Sequence, residues 1–188
     1  VRVCVKMMRI SHITSNTGAL ENPVQEIASL IHVNKTDYDG QRGRPHVTGF
    51  EEAVQDSTYL YIISPLYAGG DLISYLFQQR EKYQAGFPEA YALRMISHIG
   101  KAMELMYESQ IVHRDLKLEN TVVLVDPDTG THTYIVIDMG QAVRIPVDPS
   151  TGQLSLVQYP GAFGTTRYMA PEVFLPEPGA PLDLVQTE

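Results

Sequence analysis

The pattern of apolar and polar positions predicts a strand and then a helix at the start of the chain. Val1–Lys6 alternates enough to favour a half-buried strand. Asn22, Pro23 and Gln25 then have the residue types of a helix start, namely a cap, a first-turn proline and a third-position amide. Apolar residues follow at helical spacing and predict one buried face. They are Val24, Ile27, Ala28 and Ile31.

Two further strands and two helices are predicted in the middle of the chain. His46–Val54 and Thr58–Ser64 favour extended structure. Gly69-Gly70 interrupts the pattern, and Asp71 can cap a short helix after it. A long helix should run from about Pro88 to Ser109. Its predicted buried stripe consists of Ala92, Met95, Ile96, Ile99, Met103 and Met106.

The second half of the chain adds a predicted hairpin. The β-rich runs Thr121–Val125 and Thr133–Ile137 flank the turn sequence Asp126–Gly130. Strands with one helix come first and mostly helical segments follow, so the order of elements predicts an α+β chain.

Composition narrows the possible partners and compartments. The net charge of −8 disfavours nucleic acid and anionic membranes as general partners. No apolar run reaches the roughly 18 residues that a membrane-spanning helix needs. The single cysteine, Cys4, excludes an internal disulfide and is compatible with a reducing compartment, so we expect a cytoplasmic protein.

The run His113–Asn120, with the sequence HRDLKLEN, carries the strongest chemical signal. Asp115 can orient a hydroxyl nucleophile, and Lys117 can neutralise charge on a phosphoryl group. Asn120 offers an amide oxygen to a metal. Two more motifs follow, an apolar strand that ends in Asp138-Met139-Gly140 and the segment Gly164–Glu172, GTTRYMAPE.

Together these three motifs resemble a eukaryotic protein kinase of the serine/threonine type, and the resemblance extends from Val1 to about Glu172. It implies a bilobal α+β fold. Residues 1–66 would form a partial small lobe of antiparallel sheet and one helix, and residues 67–188 a partial, mostly helical large lobe. The implied cofactors are ATP and Mg²⁺, and the implied partner is a protein with a serine or threonine acceptor.

The resemblance also assigns roles to residues of the site. Lys6 would hold the nucleotide phosphates and pair with Glu26, while Thr165 would touch Asp115 and Lys117. The metal ligands would be Asn120 and Asp138. The remaining nucleotide contacts would come from Cys4, Ser64, Pro65, Leu66, Tyr67 and Val122 around adenine and from Asp71 at the ribose. A stack that joins the lobes would consist of Leu30, Phe50, His113 and Met139.

Several positions depart from the family pattern. Met139 stands where phenylalanine is usual, and its flexible side chain fills similar apolar space. Ser64 is small for its position, so we expect a pocket behind adenine. Gly161 falls at the usual phosphorylation position and cannot accept phosphate, which predicts constitutive activation or a nonstandard site. Asp71 and Glu119 match acidic positions that some relatives use to bind substrate arginine.

Two alternatives to an active kinase remain. A pseudokinase that acts as a binding or scaffold module is disfavoured because Lys6, Glu26, Asp115, Asn120 and Asp138 are all present. An inactive fragment is the second alternative. The family's glycine-rich loop would precede Val1 and its supporting helices would follow Glu172, so we expect the 188-residue chain alone to be weakly stable and inactive.

Overall fold

The computed structural model describes residues 2–15, 21–36, 46–82, 87–155, 164–170 and 173. Val1, Gly161 and the Pro171-Glu172 pair lie outside these residues. Within them, no helix is both long and apolar enough to cross a membrane. The elements in chain order are β1 (Val3–Arg9), α1 (Ile10–Ser15), α2 (Pro23–Thr36), β2 (Glu52–Gln55), β3 (Tyr59–Pro65), α3 (Leu72–Lys82), α4 (Glu89–Glu108), β4 (Ile111–Val112), β5 (Thr121–Val125), β6 (His132–Val136) and β7 (Val143–Arg144).

The first sheet is antiparallel and has the strand order β1-β3-β2. Lys6 pairs with Ile62 across β1 and β3. Along β1, Lys6 and Met8 are partly buried whereas Val5 and Met7 are exposed, which is the two-residue period of a strand. The predicted first strand is confirmed, and it continues to Arg9.

The strand predicted at His46–Val54 is only partly correct. Val47 makes an isolated bridge with Val136, and β2 covers only Glu52–Gln55. The Thr48 N–H donates to the Val136 carbonyl at 2.8 Å. The backbone at the start of this stretch therefore forms its hydrogen bond with β6 instead of β3. The stretch therefore ties the first sheet to the second half of the chain.

Helix α2 begins as predicted, but its buried face coincides only partly with the predicted one. The Asn22 side-chain oxygen accepts from the Val24 and Gln25 N–H groups at 3.1 and 3.2 Å, as an N-cap does. Val24 is 69% exposed, so the predicted apolar face is wrong there. Among the described residues of α2, the buried positions are Pro23, Glu26, Ser29, Leu30 and Val33. Ile27 of the predicted face is partly buried and packs against the core. This rotation places Leu30 and Val33 in the core and brings Glu26 to Lys6 on the sheet.

Helix α4 confirms the predicted long helix, but only part of the predicted stripe is buried. Ala102, Leu105 and Met106 are buried, whereas Ile96 is 62% and Met103 is 44% exposed. Leu93 and Tyr107 are exposed on the same side of the helix, at i−3 from Ile96 and i+4 from Met103. Among the described residues, the opposite side of α4 supplies the core.

One apolar core joins the first sheet, α2, α4 and β6. Phe50 packs against it. Met139 is fully buried in the same core as Leu30, and this packing fixes the chain next to Asp138. The buried members are Leu30, Val33, Val47, Ile62, Ala102, Leu105, Met106, Ile111, Val136, Met139 and Ala142.

The predicted hairpin is present and leads directly out of the HRDLKLEN segment. Strands β5 and β6 pair in antiparallel register with Val122 opposite Ile135. Asp126 closes the predicted turn, since its Oδ1 accepts from the N–H groups of Asp128 and Thr129 at 2.9 and 2.8 Å. Gly130 completes the turn with a φ of 66°.

Candidate active site

His113 lies under the HRDLKLEN loop as a buried packing residue. Its Nε2 lies 3.0 Å from the Ile137 carbonyl, and its Nδ1 accepts from the Asp115 N–H at 3.3 Å. This pair of contacts requires the neutral ring with hydrogen on Nε2. Burial lowers the pKa of His113, which agrees with that neutral form. The ring therefore positions the Asp115 backbone and does not supply a proton.

Asp115 is the centre of a hydrogen-bond network that includes three other predicted site residues. Its Oδ2 accepts from Lys117 Nζ at 2.7 Å and from Asn120 Nδ2 at 3.1 Å. Its Oδ1 accepts from Thr165 Oγ1 at 2.8 Å. Lys117 Nζ also donates to Thr165 Oγ1 at 2.8 Å. The carboxylate is buried and acts only as an acceptor, so this network fixes its orientation.

Thr165 is held in the network by the backbone before it. Gly164 has a φ of 100°, and a Cβ there would lie 2.5 Å from the Arg114 carbonyl oxygen. Only glycine fits this conformation and this approach. The Gly164 N–H also donates to the Gln141 side-chain oxygen at 2.8 Å. The close approach brings the segment that contains Thr165 against the HRDLKLEN loop.

Gln141 is a positioning residue that the sequence analysis did not identify. Its side chain accepts from Gly164, and its backbone carbonyl accepts from Arg114 Nε at 2.6 Å. It thus connects the HRDLKLEN loop, the Asp138 turn and the segment around Thr165. The one available signal was its place directly after Gly140, and that place alone does not indicate a bridging role.

Lys6 is the centre of a second cluster. Its Nζ lies 3.0 and 3.2 Å from the two Glu26 carboxylate oxygens and 2.9 Å from Asp138 Oδ1. Glu21, which the sequence analysis missed, lies 3.3 Å away. Burial alone would lower the pKa of Lys6, but the charges of Glu26 and Asp138 outweigh burial and raise it. Lys6 is therefore a protonated cation.

The Asp138 turn presents a carboxylate beside this cation. Asp138 adopts a left-handed conformation with a φ of 64°. Burial favours its neutral form, but the adjacent Lys6 outweighs burial and lowers the pKa of Asp138. The Gly140 N–H donates to Asp138 Oδ1 at 3.3 Å. The carboxylate is therefore ionised, as a metal ligand must be.

Asn120 and Asp138 have the donor chemistry that Mg²⁺ prefers. Nδ2 of Asn120 donates to the backbone and side chain of Asp115, at 3.0 and 3.1 Å, and the amide oxygen is left for another partner. Among the described residues, no cluster of three or more acidic, histidine or cysteine side chains could hold a metal by itself. These residues thus fit an ion that completes its shell with water and phosphate oxygens.

The predicted adenine contacts are divided between two places. Cys4 pairs with Ser64 in the first sheet, and Val122 makes an isolated bridge with Asp71 at the start of β5. The Leu66 N–H donates to the Arg2 carbonyl at 3.3 Å. Pro65 ends β3 opposite Val3, and Cys4 is exposed. Cys4 therefore lies beside Ser64, and Asp71 lies beside Val122.

Tyr67 and Asp71 also have structural roles. The Tyr67 hydroxyl accepts from the Gly49 N–H at 3.2 Å. Asp71 caps α3, because its Oδ1 accepts from the Ser74 N–H at 2.8 Å, and this hydrogen bond lowers the pKa of Asp71. The predicted cap is confirmed. One oxygen of Asp71 is therefore engaged by the helix.

Comparison with known proteins decides the family. A sequence model of the protein kinase domain matches residues 1–182. The chain belongs to the protein kinase domain family. The HRDLKLEN loop and the Asp138 turn both lie within the matched residues, and the α+β fold predicted from the sequence is confirmed. Use of ATP and a divalent metal is general to this family.

Two similar curated proteins are named as serine/threonine kinases. The chain is 38% identical over 120 residues, or 64% of its length, to serine/threonine-protein kinase zyg-8 of Caenorhabditis elegans. It is 31% identical over 127 residues, or 68% of its length, to serine/threonine-protein kinase MRCK beta of Rattus norvegicus. The matched segments make up 13% and 6% of those two proteins. The chain thus corresponds to a small part of each relative.

Proposed function

We propose that this chain carries the catalytic centre of a serine/threonine protein kinase, which transfers the γ-phosphate of ATP to a serine or threonine hydroxyl of a protein. The observation that carries the proposal is the network around Asp115. Lys117, Asn120 and Thr165 orient both carboxylate oxygens, while Lys6 and Asp138 form a cationic and metal-binding pair nearby in the fold. Phosphoryl transfer requires positioning and charge more than covalent chemistry.

Each residue of the network has a role that follows from its contacts. Asp115 accepts a hydrogen bond from the substrate hydroxyl and aligns it for attack. Lys117, which now donates to Asp115 and Thr165, neutralises charge on the phosphoryl group that is transferred. Lys6 holds the nucleotide phosphates, and the buried Glu26 keeps its ammonium in place. When bound through Asn120 and Asp138, Mg²⁺ supplies further positive charge to the phosphates.

The serine/threonine preference is supported by the Lys117–Thr165 hydrogen bond. Both side chains border Asp115, so they limit the space in which an acceptor hydroxyl can lie. Glu119 is near this place, and the Tyr168 hydroxyl donates to it at 3.2 Å. We also propose that Glu119 and Asp71 favour substrates with arginine near the acceptor. The division into lobes at residues 1–66 and 67–188 belongs to the same proposal.

Phosphate transfer in the full-length protein tests this function. We expect transfer from γ-labelled ATP to peptides with serine or threonine acceptors and little transfer to tyrosine. Asp115→Asn should lower the rate about 10²- to 10⁴-fold, because a neutral amide that cannot take the hydroxyl proton replaces the carboxylate. Asp126→Asn is the matched control, since Asp126 is an exposed turn residue. Equal rates for wild type and Asp115→Asn would contradict the proposal, and ATP binding without transfer would favour a pseudokinase.

A further inference from the structure

Glu21 gives Lys6 a third carboxylate partner. Its Oε2 lies 3.3 Å from Lys6 Nζ, in addition to the contacts of Lys6 with Glu26 and Asp138. The three carboxylates differ in exposure. The Glu26 side chain is 4% exposed, Asp138 33% and Glu21 52%. Glu21 therefore contacts Lys6 from the most solvent-accessible side.

The position of Glu21 is set by the backbone around it. The N–H of the next residue, Asn22, donates to the Gly140 carbonyl at 3.0 Å, and the Asn22 carbonyl accepts from the Glu26 N–H at 2.8 Å. A Cβ on Gly140 would lie 3.2 and 3.3 Å from the Glu21 Cγ and Cδ atoms. The Glu21 side chain thus lies directly against the Asp138 turn.

The charges of this cluster are unbalanced. One ammonium faces three carboxylates, so the group as a whole is negative. Of the three carboxylates, Glu21 has the most exposed side chain and Glu26 the least. A nucleotide phosphate that binds Lys6 from solvent therefore comes close to the Glu21 carboxylate. Like charges a few ångströms apart repel, and salt weakens this repulsion where the charges are exposed.

We propose that Glu21 competes with nucleotide phosphates for Lys6 and so lowers the affinity of this site for nucleotides in proportion to their phosphate charge. The inference rests on the proposed function, because it needs the nucleotide phosphates to reach Lys6. Glu21 is a determinant of ligand affinity and specificity and takes no part in the chemical step. A nucleoside without phosphate binds independently of Glu21. ADP and ATP must displace the carboxylate from the ammonium.

Equilibrium binding to the full-length protein tests the inference. Dissociation constants for Mg·ATP, Mg·ADP and adenosine are measured for wild type, Glu21→Gln and Glu52→Gln. Glu52 is an exposed carboxylate on β2 of the same sheet, so its substitution changes the net charge equally. We expect Glu21→Gln to bind Mg·ATP about fivefold more tightly, as the loss of one partly exposed ion pair allows. Adenosine affinity should not change, and the gain should shrink at high salt.

The outcomes separate the two proposals. Equal or weaker Mg·ATP binding by Glu21→Gln would overturn the inference, and so would an equal gain for adenosine or for Glu52→Gln. A gain for Mg·ATP and Mg·ADP alone supports it. If neither Mg·ATP nor adenosine binds to wild type or to the variants, the proposed function is itself wrong, and the inference is wrong with it.

Discussion

Position 164 can be occupied only by glycine, because its backbone conformation and its surroundings exclude a side chain. The residue combines a left-handed backbone with a close approach to the Arg114 carbonyl, and its N–H is engaged by Gln141. A side chain here would push the Thr165 segment away from the HRDLKLEN loop. Asp115 would then lose Thr165, one of the three side chains that donate hydrogen bonds to its carboxylate.

We therefore predict that Gly164→Ala impairs catalysis more than nucleotide binding. The rate of phosphate transfer should fall about 10- to 100-fold, because displacement of a positioning group by about 1 Å has effects of that size. The Mg·ATP affinity should be nearly unchanged, since Gly164 does not contact the Lys6 cluster. Steady-state kinetics and equilibrium binding measure the two quantities separately.

Gly130→Ala is the matched control for this prediction. Gly130 also has a positive φ, of 66°, but a Cβ there meets no atom within 4 Å. Its substitution should cost about 1 kcal/mol of stability through backbone strain and leave the transfer rate unchanged. A similar loss of rate in both variants would show that strain, and not the contact with Arg114, is responsible.

The sequence predicts those residues of the site that form recognisable motifs. Asp115, Lys117, Asn120 and Thr165 meet in one network, and Asn22 caps α2 as its residue type indicates. Glu21 and Gln141 could not be predicted. Their roles depend on contacts with residues that are distant in the chain, and a glutamate before a helix or a glutamine after a glycine is compatible with many environments.

At the scale of elements, both helices with predicted faces show how tertiary contacts select among apolar positions. In α2 the buried line runs through Glu26, Leu30 and Val33, so that core packing and the Glu26–Lys6 ion pair lie on the same side of the helix. In α4 the apolar residues occupy more than one face. Hydrophobic spacing identifies a helix, but it does not decide which of two apolar faces is covered.

We predict unequal effects of alanine on the two faces of α4. Ile96→Ala should change the free energy of unfolding by less than about 0.5 kcal/mol, because Ile96 is mostly exposed. Leu105→Ala should cost about 2–4 kcal/mol, because Leu105 is buried and its loss leaves a cavity. Urea denaturation of the full-length protein measures both values. A large loss for Ile96→Ala would mean that its face is covered in solution.

At the scale of the whole molecule, a pair of histidines links the two halves of the chain. His46 precedes the bridge to β6, His98 lies on α4, and their ring centroids are 4.0 Å apart. His98 Nδ1 accepts from the Tyr134 N–H at 3.2 Å, and His46 Nδ1 lies 3.2 Å from the Tyr134 carbonyl. Burial, then the charges of His46, Lys101 and Arg94, lower the pKa of His98 from 6.5 to about 4.

Stability should therefore fall as the pH drops from 6.5 towards 4. Between these values the unfolded chain binds a proton at His98 that the folded protein does not, so acidification favours unfolding. Above pH 6.5 both states are neutral at this site, and His98 adds no pH dependence. His46 has a lowered pKa as well, chiefly through burial, and acts in the same direction.

Thermal unfolding of wild type and His98→Asn at pH 7.5 and pH 5 measures this effect. Asparagine keeps an acceptor near the Tyr134 N–H but does not titrate. The fall in Tm on acidification should be smaller in His98→Asn than in wild type. His12→Asn, a change at an exposed histidine on α1, should retain the full wild-type fall. An unchanged fall in His98→Asn would refute the assignment.

The hydrogen bond between the Asn22 N–H and the Gly140 carbonyl has a mechanical consequence for the whole molecule. It couples the first turn of α2 to the turn that contains Asp138. Two of the carboxylates on Lys6, from Glu26 and Asp138, therefore lie on segments that this hydrogen bond joins directly. A displacement of α2 that carries Glu26 away from the ammonium must either break this bond or pull on the turn that holds Asp138.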